Sequence, residues 1–363
     1  MILCTKEDVI TAMENKFYDG TKLLSLSDIN GNKPEIYMVT SNRTAGKTTY
    51  FGRLLFNKAI KKNEKFMLIY RFNYELDNCA DKFFKDIGKL FFPDYYMTSV
   101  RKAKGIYHEL YYQKVGDEFP TMCGYAVSLN NVDQLKKFSH LFSDTNYMFM
   151  DEFQSETNHY CADEVTKFIS LHTSVARGNG EMVRYLPVFM CGNPVTILNP
   201  YYVEMDISSR LSRNTRFLRG EGFVLEQGYN QAASEAQKLS GFNAAFKRNS
   251  YIAYAGEARY LEDDSAFVQT VTGKSRYLGS IKYKDTLYGL RAFDELGIIY
   301  CDKKADASYP YKIAVTTEDH QVNYLLLRQH DEFILNMRFY FDHGCFRFKD
   351  LQCKEAVLKL LTY

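Results

Sequence analysis

The stretch Ser41-Asn42-Arg43-Thr44-Ala45-Gly46-Lys47-Thr48-Thr49 carries the residue types, in the order, that bind a polyphosphate. Backbone N–H groups must wrap the phosphates, so Gly46 stands where a side chain would block close approach. Lys47 supplies charge for the phosphate oxygens, and the Thr48 hydroxyl supplies a ligand for Mg²⁺. The pattern G-x-x-x-x-G-K-[ST] is met at every fixed position but the first, where Ser41 replaces glycine. Arg43, inside the cradle, can reach the terminal phosphate with a planar fork that lysine lacks, or simply face water. A triphosphate with its Mg²⁺ also needs a second carboxylate at the metal and a group that orients water. Asp151-Glu152 suits both needs: Asp151 joins the Mg²⁺ shell, and Glu152 polarises the attacking water, which is hydrolysis rather than transfer to an acceptor. Asn193, in Gly192-Asn193-Pro194, offers an amide that can bond the γ-phosphate or the water, or serve as an ordinary turn residue.

These groups meet only if strands and helices bring them together. The apolar Ile36-Tyr37-Met38-Val39 before the loop and the face Phe51, Leu54, Leu55, Ala59 after it predict strand, loop and helix, closing at Lys61-Lys62-Asn63. Phe66-Met67-Leu68-Ile69-Tyr70, Tyr147-Met148-Phe149-Met150 and Leu186-Pro187-Val188-Phe189-Met190-Cys191 are continuous apolar runs, as strands buried on both faces of a parallel sheet require. The chemistry then gathers at the carboxyl ends of those strands. Arg71 ends one of them and is a candidate nucleotide contact, or else the ion-pair partner of Glu75. Leu110-Tyr111-Tyr112 and Tyr125-Ala126-Val127-Ser128-Leu129 are strand-like, and a helical stretch over 165–171 leads to Arg177 before Gly178-Asn179-Gly180. An arginine on such a tip can insert into a neighbour's site, or be a solvated loop charge. Residues 1–34 read as a leading segment with a helix over 8–13.

After Pro200 the character changes. Arg210, Arg213, Arg216 and Arg219 recur every third residue, a spacing that can track a phosphate backbone or line one solvated helix face. A helix is expected from Ala232 to Leu239, and residues 201–262 read as a linker or lid subdomain after a nucleotide domain over 1–200. Residues 263–363 form a third, β-rich part, with strands over 277–283, 286–293 and 297–301 in a three-stranded meander. Helical stretches near 324–329, 332–340 and 353–361 complete a small α+β domain.

With 363 residues and 46% hydrophobic content the chain supports two sizeable cores, and no apolar run approaches a membrane-spanning length. Met1-Ile2-Leu3-Cys4 leads quickly into charge, unlike a secretion signal. Eight cysteines at irregular spacing, without C-x-x-C, read as reduced thiols rather than zinc ligands. A net charge of +2 leaves any nucleic-acid contact to local patches such as the lysines Lys58, Lys61 and Lys62, which otherwise are only a solvated helix end.

Several of these features together resemble the DNA-packaging (encapsidation) ATPases of phi-29-like podophages: residues 41–48, Arg71 with Glu75-Leu76, Asp151-Glu152-Phe153, Val175-Ala176-Arg177, Gly192-Asn193 with Asn199-Pro200-Tyr201, and the C-terminal meander. The resemblance implies an additional-strand, RecA-like P-loop core (ASCE class) and a C-terminal domain of vestigial RNase H-like fold. It implies Lys47 and Thr48 as the Walker A lysine and Mg²⁺ ligand, Asp151 and Glu152 as the Walker B pair, and Arg43 as the P-loop arginine of packaging motors. Arg177 falls on the arginine that acts in trans on a neighbour's ATP, Lys136 on a second trans-acting cation with Lys137 its rival, and Asn193 on the coupling position. Residues 178–181 lack the denser arginine run of the family, which makes Arg184 an accessory candidate. ATP and Mg²⁺ are the implied cofactors. The implied partners are double-stranded DNA, a homo-oligomeric ring of five, the viral portal or procapsid and a prohead RNA, with the protein in the host cytoplasm and transiently on the procapsid.

A nuclease of RNase H type needs acids on its first strand to hold metal ions. Here Tyr277, Gly279, Ile281 and Tyr283 share one face and Leu278, Ser280 and Lys282 the other, so no nuclease activity is expected. Two other readings stay open at this level: a P-loop phosphotransferase, and a DNA-binding scaffold with a degenerate nucleotide site.

Overall fold

The structure is a computed structural model describing residues 17–157, 159–177, 182–208, 210–211, 215–246, 249, 251–252, 255, 267–326 and 331–362. The helix expected over 8–13, the tip 178–181 and Arg213 lie outside these residues. Two compact units are present: residues 1–200 with 212–262, and residues 201–211 with 263–363.

In the first unit, β1 (Ile36–Thr40) is followed by α1 (Lys47–Lys62), β2 (Lys65–Tyr70), α2 (Cys79–Phe91), β3 (Tyr95–Lys102), β4 (Tyr107–Lys114), β5 (Thr121–Ser128), β6 (Thr145–Met150), α3 (Glu164–Val175), β7 (Val188–Gly192), β8 (Phe217–Gly220), β9 (Phe223–Gln227) and α4 (Gln231–Leu239). The strands form one sheet in the order β3-β4-β5-β2-β6-β7-β1-β9-β8. The six from β5 to β9 are parallel, and β4, β3 and β8 add on antiparallel. This is the P-loop core with an additional strand: β7 separates β1, which leads into the phosphate loop, from β6, which ends before Asp151. Both faces of the central strands are covered, which is why β1, β2 and β6 read as unbroken apolar runs. On one face Phe51 of α1 stacks on Phe189 at 5.0 Å and on Phe149 at 6.3 Å, fixing α1 over β6 and β7. Leu55, Phe56 and Ala59 continue the buried stripe toward Phe83, Phe84 and Ile87 of α2.

The expected linker over 201–262 is divided between the units. Residues 212–262 belong to the first, because β9 pairs with β1 in parallel and carries β8 with it. Arg219 is therefore a strand residue, bonded to the carbonyl of Asp28, and the evenly spaced arginines are not one helix face.

The second unit extends the meander. β10 (Arg276–Tyr283), β11 (Thr286–Phe293) and β12 (Ile298–Asp302) are antiparallel, and β13 (Lys312–Ala314), β14 (Leu325–Leu326) and β15 (Phe346–Phe348) widen the sheet to the order β14-β13-β10-β11-β12-β15. The added strands run parallel to their neighbours. Helices α5 (Glu332–Asp342) and α6 (Leu351–Thr362) pack on this RNase H-like sheet through Ile334, Met337, Val357 and Leu360. Leu325 and Leu326 are strand rather than the helix expected over 324–329, since they pair with Ile313 and Ala314, and residues 327–330 lie outside the described set. Lys284, in the β10–β11 turn, holds residues 201–211 through Val203 O at 2.8 Å and Asp206 Oδ1 at 2.7 Å.

Candidate active site

Between β1 and α1 the chain turns through two left-handed residues, Thr44 (φ 62°) and Gly46 (φ 94°). At Gly46 a Cβ would also come within 3.0 Å of Phe17, so glycine is required there by conformation and by space. Ser41 and Asn42 are buried beneath the loop. Asn42 joins it to α4 by a reciprocal pair, Nδ2 donating to Asn230 O and Oδ1 accepting from Asn230 N, both at 2.9 Å. Ala45 lies inside, and Thr49 is half-buried in the first turn of α1.

Lys47 curls back into the loop. Its Nζ donates to Ser41 O at 3.1 Å, Ser41 Oγ at 3.0 Å, Asn42 O at 3.3 Å and Asn193 Oδ1 at 3.2 Å. Ser41 thus supplies a hydroxyl acceptor to the lysine at the position where the consensus has glycine. Burial pushes the Lys47 ammonium down to about 8, with Asp151 and Glu152 pulling the other way. Uncharged acceptors do little to offset that burial, and an anion in the cradle would.

The Thr48 hydroxyl donates to Asp151 Oδ2 at 2.9 Å. Two cis ligands of an octahedral Mg²⁺ with bonds near 2.0–2.1 Å stand about 2.9 Å apart, so this oxygen pair has the span of a shared Mg²⁺ edge. Loss of hydration raises the Asp151 carboxyl to about 6, reinforced by neighbouring Glu152 and opposed by the Thr48 bond and Lys47. Such a group gains from a cation. Glu152 is exposed and takes a left-handed backbone, φ 55°. Asn193, just past β7, comes between the Lys47 and Asp151 sides because its strand lies between theirs.

Arg71 is neither solvent-facing nor paired with Glu75, whose carboxylate accepts instead from Phe72 N at 2.6 Å. Its Nε donates to both oxygens of buried Glu164, at 3.0 and 2.8 Å, and its Nη2 to Phe153 O at 2.9 Å, with Glu152 O at 3.4 Å. Tyr160 covers the guanidinium at 4.9 Å. Arg43 forms an ion pair with Glu156 and lies 5.5 Å from the ring centre of Tyr251. Together Arg43, Arg71, Glu152, Glu156, His159 and Asn193 line a cavity of about 240 Å³.

Glu164, Glu156, Tyr251 and Gln154 escaped the sequence reading. Gln154 is buried and accepts from Val195 N and Thr196 N, each at 3.0 Å, joining the loop after β6 to the loop after β7. Only its closeness to Asp151-Glu152 hinted at a role. Lys136 is exposed and 3.3 Å from Asp133. Lys137 is exposed beside it, and Arg177 is exposed just after α3. Arg184 donates to Val175 O at 2.9 Å, back onto the end of α3.

Compared with known proteins, residues 13–362 match the family model described as Podovirus DNA encapsidation protein (Gp16). The chain is 24% identical over 313 residues to the DNA packaging protein of Bacillus phage phi29, covering 86% of each. It is 22% identical over 296 residues to that of Bacillus phage B103, covering 80% of this chain and 84% of the relative. Among solved structures, the bacteriophage Phi-29 viral genome packaging motor assembly aligns at TM-score 0.60 and 20% identity, over 96% of this chain and 99% of that one. The Phi-28 gp11 DNA packaging motor aligns at TM-score 0.61 and 14% identity with the same coverage. These two structures share the fold.

Proposed function

The chain belongs to the podovirus DNA encapsidation protein family, and from that premise we propose that it is an ATP-hydrolysing ring motor that moves double-stranded viral DNA into a procapsid. The observation that carries the reading is a pair of contacts at the ends of three neighbouring parallel strands, Lys47 Nζ donating to Asn193 at 3.2 Å and the Thr48 hydroxyl to Asp151 at 2.9 Å. Lys47 and the N–H groups at the start of α1 would hold the polyphosphate of ATP, and Thr48 and Asp151 would hold Mg²⁺. Once bound, Mg²⁺ would neutralise phosphate charge during hydrolysis. Glu152, exposed beside the metal ligand, accepts the proton of the attacking water, and the Asn193 amide orients water or phosphate. Arg43 turns from Glu156 to the terminal phosphate. Arg71 acts on the site through the Glu152 and Phe153 carbonyls rather than by touching nucleotide.

Arg177 lies outside the bonded cluster around Lys47, which supports its insertion into a neighbour's site, with Lys136 or Lys137 as the second cation. Hydrolysis then requires a ring, taken as five subunits, seated on the portal of a procapsid in the host cytoplasm, with prohead RNA a further partner. The second unit has no acid on β10, and its buried Lys282 instead pairs with Asp285 at 3.1 Å, which supports a DNA-binding or docking role without nuclease activity.

Mixing two inactive variants tests the composite site. Glu152→Gln retains Arg177, and Arg177→Ala retains Glu152, so mixed rings contain complete sites and should recover ATP turnover. No recovery, with rings assembled normally, would overturn the trans assignment. Unchanged turnover in Lys47→Ala would remove the nucleotide assignment itself.

A further inference from the structure

We propose that the turn joining β3 to β4 contacts the phosphate backbone of duplex DNA through Arg101 and Lys104. The proposal rests on the motor reading above and assigns that motor a DNA contact. Strand register fixes the position of the turn. Tyr107, at the start of β4, pairs with Val127 of β5, Val127 with Ile69 of β2, and Ile69 with Met150 of β6. Asp151 follows Met150, so the turn stands on the same rim of the sheet as the candidate active site, three strand spacings or about 14 Å along it.

The sequence Arg101-Lys102-Ala103-Lys104-Gly105 gathers three cations in four residues of a chain whose net charge is only +2. Charge runs of this kind are usually solvated and loosely held. This one is fixed. Ala103, Lys104 and Gly105 have φ of 46°, 59° and 90°, three left-handed residues in succession. Strain of that sort persists where the surroundings hold it, and it gathers at functional positions. The Arg101 guanidinium donates to Lys104 O at 3.1 Å and lies over Gly105, where a Cβ would come within 2.3 Å of Arg101 Nε. Lys102 is engaged by Glu109 at 3.0 Å. Arg101 and Lys104 are exposed, and among the described residues neither has a carboxylate partner.

A fixed planar fork beside a point charge suits phosphodiester oxygens. Residues 101–105 include no large apolar side chain, so the turn lacks the core that a protein partner would cover. Contacts of this kind position the duplex without reading its sequence.

Duplex DNA affinity measured across salt concentrations tests the assignment, with the full-length wild type, Lys104→Gln and the double variant Arg101→Gln/Lys104→Gln assayed beside basal ATP turnover. Each lost phosphate contact should lower the slope of log affinity against log salt by about 0.9, so over a fourfold salt increase Lys104→Gln should lose about 3.5-fold less affinity than wild type. Basal turnover should be unchanged. The Lys104 side chain faces solvent, so the single variant remains informative if the double variant folds poorly. Wild-type slopes in both variants would overturn the proposal, as would weakened self-association with an unchanged slope, which would give the turn to a second copy of the chain. Wild type that binds no DNA at any salt would instead refute the motor reading beneath it.

Discussion

Arg71 and Glu164 stand 93 positions apart and meet through the fold alone. Their pair is shielded from water, and it holds the backbone just after Asp151, where Glu152 takes its left-handed turn. Removing one partner of a buried pair strands the other charge, so Glu164→Gln should lower stability by about 3–5 kcal/mol, measured as a reduced urea midpoint. An unchanged midpoint would show that the pair contributes nothing. Glu226 makes a different case: it is buried on β9 and accepts from the Tyr18 hydroxyl at 2.7 Å, and burial raises its carboxyl above the ordinary range against the lowering influence of that Tyr18 bond and, more weakly, of Arg216. A raised carboxyl favours the protonated folded state, so its contribution is present at acid pH and is lost as pH rises through the folded value. Glu226→Gln should therefore reduce the loss of unfolding free energy between about pH 4.5 and pH 7, as followed by denaturation at each pH. Equal pH dependence in both proteins would show that Glu226 carries no such linkage.

At the scale of elements, β7 decides the site. By standing between β1 and β6 it sets Asn193 across from Lys47, and its Gly192 lets the Phe153 ring approach, since a Cβ there would lie 2.9 Å from that ring. The apolar runs announced β1, β2, β6 and β7, although not their order. Helix α2 buries Cys79, Ala80, Phe83, Phe84 and Ile87 at helical spacing, a local signal, whereas strands β3, β8 and β9 were not legible because their faces are completed by residues distant in sequence. The β2–β5 pairing hinges on Gly124, opposite Phe66, where a Cβ would stand 1.9 Å from the Phe66 carbonyl oxygen. Gly124→Ala must separate those strands and should cost at least about 1–3 kcal/mol, read as a lower midpoint of thermal unfolding. A midpoint equal to wild type would show that the strands can part there freely.

At the scale of the molecule, the chain leaves its first unit at residue 200, contributes residues 201–211 to the second, and returns at 212 before crossing again near 262. A sequence boundary marks only where composition changes, so 201–262 looked like one piece. For the proposed ring, ATP turnover per subunit should fall on dilution as neighbours separate and Arg177 is withdrawn. Constant turnover at every concentration would mean that each subunit hydrolyses alone.

The sequence by itself determined the phosphate loop, the acidic pair and the strands that bear them, because these depend on local spacing and on runs of apolar residues. It also determined the family resemblance, which the match over 13–362 bears out. Tertiary structure decided which charges face one another. Arg71 went to Glu164, Arg43 to Glu156 and Arg219 to the Asp28 carbonyl, because such pairing depends on distances that strand order sets.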